Sequence, residues 1–155
     1  MTLTGKLAAS AIAAGLLLTT GAAYAQDAGA AIKARQGQFR IMALNIGVLG
    51  GMAKGEIDYD AELAQIAADN LVAVSTINQM VNWPEGSDNA SVENTRALPV
   101  IWENLPDVVS KWEDFGTAAT AMQAAAGTGV EGIQGAIGQL GGRCKACHDD
   151  YRAPE

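Results

Sequence analysis

The sequence predicts an all-α fold, an antiparallel up-down-up-down four-helix bundle, and three observations predict it. Four segments space their apolar residues alternately three and four apart, which lines one face of a helix. No run of useful length alternates at the two-residue period of a strand. The links between the segments are short, except for a loop after Trp83, as antiparallel neighbours require.

Residues 1–25 stand apart from that pattern. Lys6 is the only charge before Asp27, the run from Leu7 to Leu18 is almost purely apolar, and Ala23-Tyr24-Ala25 offers the small residues that signal peptidase reads. A charged start, a short apolar run and an A-x-A end describe a cleaved secretory signal. The run falls short of the ~20 apolar residues of a transmembrane helix. The expected mature chain is 26–155, one domain with no membrane span, exported to the periplasm. Cleavage removes only Lys6 from the charge count, so the net charge moves from −7 to −8. Such an acidic chain does not seek nucleic acid or an anionic membrane. Aromatic residues make up only 5% of the chain and glycines number 18, so side chains alone would fill a core poorly.

The first helix carries Ile32, Arg35, Phe39, Met42, Ile46 and Leu49 and stops at Gly55, after Lys54. Asp58 and Asp60 offer caps for the second, whose stripe runs Ala64, Ala67, Leu71, Val74 and Val81. Residues Trp83-Pro84-Glu85-Gly86-Ser87-Asp88-Asn89 form a loop by composition. The third stripe runs Ile101, Leu105, Val108, Trp112, Phe115, Ala119, Met122 and Ala126. Pro99 suits its first turn. Pro106 sits inside it, removes a backbone bond and should bend or interrupt the helix. The fourth stripe runs Val130, Ile133, Ile137, Leu140, Cys144, Cys147 and Tyr151, with Thr128 and Glu131 as a capping box at its start.

The fourth helix holds the chemistry. Cys144-Lys145-Ala146-Cys147-His148 is a C-x-x-C-H motif, the attachment signature of c-type haem. Two thiols three residues apart share a helical face and form thioethers with the two haem vinyl groups. His148 then offers an imidazole nitrogen to the iron as an axial ligand. Both cysteines fall on the apolar stripe, so one covalently bound haem per chain points inward and supplies the missing core volume. A thioredoxin-like site needs a βαβ context that is absent. A structural zinc site needs about four ligands, and the chain has no other Cys or His. A simple disulfide is the remaining alternative, because exported thiols oxidise readily.

Other polar residues are candidates for the haem edge. Arg35 sits on an apolar stripe, where a guanidinium is costly unless paired, and a haem propionate would satisfy it bidentately. The competing reading is that Arg35 snorkels out to water. Gln36 could add a hydrogen bond at the same edge, or be a solvated surface amide. Thr95 and Arg96, with Glu93 before them, could meet a propionate, or serve only as loop and capping residues. Arg152, one helical turn after His148, could lie beside the imidazole and influence its hydrogen bonding, or simply complement the helix dipole. Tyr151 is expected to pack at the base of the bundle.

With these residues in place, the stretch from Gln26 to Arg152 resembles cytochrome c′, the class II c-type cytochromes of bacterial periplasm. The resemblance rests on Arg35-Gln36 in the first helix, Ile101-Trp102 in the third, and the block from Cys144 to Arg152. An attachment motif near the C-terminus sets it apart from class I cytochromes c. Pro106 is a departure from the family pattern. The resemblance implies a homodimer packed through the first two helices, and roles in one-electron transfer and in binding small diatomic gases (NO, CO). It also implies that Phe39 lies over the iron's distal face, where low-spin relatives carry Met. Phe has no lone pair to give, so a five-coordinate high-spin iron is expected. The alternative is a low-spin electron carrier with Met42 as sixth ligand. A haem enzyme such as a peroxidase is not expected, because it usually wants a distal His and His148 is the only histidine.

Overall fold

A computed structural model describes residues 21–154 of the chain. Residues 1–20 of the segment read as an export signal lie outside the described residues. Helix α1 spans Gly21–Lys54 and stops where Gly55 takes a left-handed φ of 74°, as a helix-ending glycine does. Asp60 caps α2 (Ala61–Ser75) by accepting from the Leu63 backbone N–H at 2.9 Å.

The second stripe was expected to reach Val81, and it does not. Helix α2 ends at Ser75, and Val81 lies in a separate 3₁₀ turn, Gln79–Asn82, 79% exposed. The expected third helix is two. Helix α3 is one turn, Val100–Glu103; Asn104 leaves helical geometry, and α4 restarts at Leu105 and runs to Ala126. Pro106 then falls in the first turn of α4, where its missing N–H costs nothing. The capping box before α5 (Val130–Tyr151) does not form. Gly129, at φ 129°, occupies the cap position, and Thr128 Oγ1 instead donates to Ala125 O at 2.8 Å, finishing α4.

Helix α1 packs against α2 and α5, and α4 packs against the same two, which makes a square antiparallel bundle. Leu49, Met52, Leu71, Met122, Ile133 and Leu140 are fully buried between them. At one end, Tyr59 OH donates to Ala126 O and accepts from Gly129 N, each at 3.0 Å, tying the α1–α2 turn to the α4–α5 turn. At the other end Ile101, Val108 and Tyr151 form a second, smaller core. There the segment before α3 pairs with the chain after α5: Leu98 N donates to Tyr151 O at 3.0 Å and Ala153 N to Arg96 O at 2.8 Å. No helix among the described residues is long and apolar enough to cross a membrane.

Candidate functional site

The end of the bundle closed by that pairing holds a cleft of about 1120 Å³, walled by α1, the loop after Trp83, α4 and α5. Ordinary small-molecule pockets run to roughly 1,000 Å³, so this one suits a large planar ligand. Helix α5 turns Cys144, Cys147 and His148 toward it. Both cysteines are unbonded thiols, and burial pushes both above the usual thiol pKa. His148 is pulled below its ordinary pKa, first by burial and then by the positive charges of Arg152 and Arg96. The imidazole is therefore held in the neutral form that ligates metal.

Across the cleft, α1 contributes Arg35, Gln36, Phe39 and Met42. Arg35 is 2% exposed, so it does not snorkel. Its guanidinium donates to Asn82 O at 3.2 Å, Ser87 Oγ at 2.8 Å, Thr95 Oγ1 at 2.9 Å and the Ser87 carbonyl. Burial brings its pKa down to about 10, against the opposing pull of Asp88. The Phe39 ring is half-buried and tilted 48° to Trp83, 6.5 Å away.

Trp83 forms the loop's contribution to the wall. Its ring meets Trp102 edge-on at 6.2 Å, its carbonyl accepts from Trp102 Nε1 at 3.0 Å, and its own Nε1 is buried without a hydrogen-bond partner. A buried indole N–H ordinarily finds an acceptor. Here it belongs to a residue lining a cleft whose opposite wall carries two thiols and an imidazole. A group with an apolar body, vinyl carbons and peripheral carboxylates meets all of these needs, and haem is such a group.

A family model described as Cytochrome C' matches residues 30–152. The chain belongs to the cytochrome c′ family. A cytochrome c-554 of Cereibacter sphaeroides is 46% identical over 121 residues, covering 78% of this chain and 91% of that protein. A solved cytochrome c′ from Rhodobacter superposes with a TM-score of 0.79 at 36% identity, covering 83% of this chain and 98% of that one. Another, whose structure is titled for an unusual ligand-controlled dimer dissociation, gives a TM-score of 0.74 at 28% identity, covering 82% and 97%.

The cofactor of a cytochrome c′ is one covalently attached haem c per chain, and Cys144 and Cys147 are the pair that can hold it. Of the residues expected at its edge, Arg35, Gln36, Phe39, Thr95, Arg96 and Arg152 all line the cleft, and Glu93 does not. Gln36 Nε2 reaches Asn94 O at 2.6 Å, and Arg96 Nε reaches Ala153 O at 2.8 Å, so both also stitch the cleft wall. A smaller recess of about 310 Å³ is lined by His148, Arg96 and Arg152 together. Met42 lines the cleft but packs into the main core. Tyr151 packs on Ile101 and Val108 and donates to Asp107 Oδ2 at 2.6 Å. Sequence reasoning missed Trp83, Arg40 and Lys111 as wall residues. The clue for Trp83 was an aromatic placed in a loop of an aromatic-poor chain.

Proposed function

We propose that this cytochrome c′ is an exported, periplasmic one-electron carrier that also binds NO or CO at a five-coordinate, high-spin iron. The position of Phe39 carries this reading: α1 presents an aromatic ring, with no lone pair to donate, to the cleft that α5 lines with His148. Haem, when bound, would supply a one-electron iron couple and an iron able to take a small neutral ligand. Cys144 and Cys147 would hold the macrocycle, and His148, with Arg96 and Arg152 beside it, would offer its imidazole nitrogen to the iron. Trp83 Nε1 is free to bond a propionate, with Arg35 behind it. Phe39 excludes water and polar ligands and admits a diatomic when it moves.

A second reading is supported by Met42, whose side chain also borders the cleft. If its sulfur reaches iron, the protein is a low-spin carrier that does not bind gases readily. Absorption spectra of purified holoprotein, oxidised and reduced, with and without NO and CO, separate the two. A high-spin spectrum that shifts on adding gas is expected. A Met-to-iron band near about 695 nm in the resting oxidised protein would favour Met42. An enzyme role finds no support, since His148 leaves no second histidine for distal acid–base work. A homodimer through α1 and α2 is supported by exposed Ile41 and Leu44 on α1 and Leu63 and Ile66 on α2, apolar side chains that a partner copy would cover.

A further inference from the structure

Tyr151 follows His148 within the same turn of α5, and ties of three kinds end on it. Its ring is buried against Ile101 and Val108, in the smaller core on which the Cys147 side chain also packs. Its carbonyl accepts from Leu98 N at 3.0 Å. Its hydroxyl donates to Asp107 Oδ2 at 2.6 Å, the length of a charge-assisted bond.

Asp107 is well placed to hold that hydroxyl. Asn104 breaks α3 from α4, and the restart puts Asp107 in the first turn of α4. There its backbone N–H donates to Asn104 O at 3.0 Å, and the helix N-terminus favours a carboxylate. One turn on, Lys111 adds an ion pair to Asp150 at 3.1 Å. That pair is partly exposed and contributes little by itself. Tyr151, only 7% exposed, carries the hold.

These ties run from the last turn of α5 to α4 and to the segment before α3. Helix α1, which bears Phe39, packs on α2 and α5 and stands diagonally across the bundle from α4. The His148 turn is thus held toward α4, away from the α1 wall of the cleft. A sixth ligand would draw iron toward the Phe39 side, and His148 would have to follow. The turn can follow only by stretching the Tyr151–Asp107 bond or by shifting the ring on Ile101 and Val108.

We propose that Tyr151, locked by Asp107, is a positioning residue for His148: it holds the imidazole back from the α1 side of the cleft and so weakens the iron's grip on a sixth ligand. The proposal rests on the gas-binding reading, with His148 as axial ligand, and names what restrains that ligand.

Carbon monoxide dissociation from the ferrous holoprotein and the iron–histidine stretch in its resonance Raman spectrum test this. Tyr151→Phe keeps the packed ring and removes only the hydroxyl; Asp107→Ala removes the acceptor. Each should slow dissociation at least about threefold and move the stretch in the same direction, and the double variant should do no more than either alone. Asp107→Asn loses the same charge as Asp107→Ala but keeps an oxygen that accepts from the phenol, so it should restore values near the wild type. An Asn variant that moves as far as the Ala variant shows an effect of charge and overturns the proposal. Wild-type values in both Tyr151→Phe and Asp107→Ala also overturn it. A wild type that takes up no carbon monoxide brings down the gas-binding reading instead; the stretch of the ferrous protein, which needs no gas, then decides whether Tyr151 positions His148.

Discussion

The Arg35 guanidinium lies 4.4 Å from the centre of the Trp83 ring, so a charge on α1 and an aromatic in the loop form one unit. The same guanidinium holds the loop at Asn82, Ser87 and Thr95. Arg35 is thus the pin that sets the loop wall of the cleft, and Trp83 is the surface it sets.

Arg35→Ala should destabilise the holoprotein by about 3 kcal/mol, since it strands buried acceptors and the Asp88 charge that faces Arg35. Arg35→Lys should recover little, because an ammonium cannot reproduce the guanidinium fork. Urea unfolding followed by circular dichroism measures both. A loss within about 0.5 kcal/mol, the range of surface substitutions, would show that the loop does not depend on the pin.

Burial, reinforced by the hydrogen bond to Asp107, pushes the Tyr151 phenol up to about 12 from its ordinary 10. A raised pKa favours the protonated native state. Its contribution is complete below pH 10 and lost as the pH climbs from 10 to 12. Tyr151→Phe should lose about 1 kcal/mol at neutral pH and should unfold with a shallower pH dependence in that alkaline window. Identical alkaline unfolding curves for the two proteins would refute the assignment.

Phe39→Met should shift the iron toward six-coordinate low-spin, with the sulfur placed where the ring now stands. Phe39→Ala should speed carbon monoxide binding by about tenfold, equivalent to ~1.4 kcal/mol off the barrier. Flash photolysis reads the rate. An unchanged rate would mean that Phe39 does not control access.

Leu44 is 69% exposed on α1, amid the apolar side chains offered to a second copy. Leu44→Glu should weaken self-association at least about tenfold by placing a charge in an apolar contact. Sedimentation equilibrium of the holoprotein decides it, and a wild type that is monomeric at all concentrations rules the homodimer out.

Much of the bundle was readable because helices that bury one face must repeat near 3.6 residues, and the stripes through Leu49, Leu71, Met122 and Leu140 do so. The attachment motif was readable because its chemistry demands a local spacing. Val81 misled because an apolar residue in step with α2 does not reveal that the helix has already stopped at Ser75. Thr128 misled because the same hydroxyl can start α5 or finish α4, and Gly129 decides for the latter. The partners of Arg35 lie 47 to 60 residues away in sequence, so local pattern showed only that it needed partners. Trp83 carries no periodicity at all, and its role became visible only with its buried indole N–H.

The pairing of Arg96 and Leu98 with Tyr151 and Ala153 gives the cleft a latch, and the latch uses the last described residues of the chain. Its backbone bonds begin three residues past His148 and fix the segment that follows Thr95. Trimming the chain at Asp150 would leave the attachment motif whole and the latch without its catch.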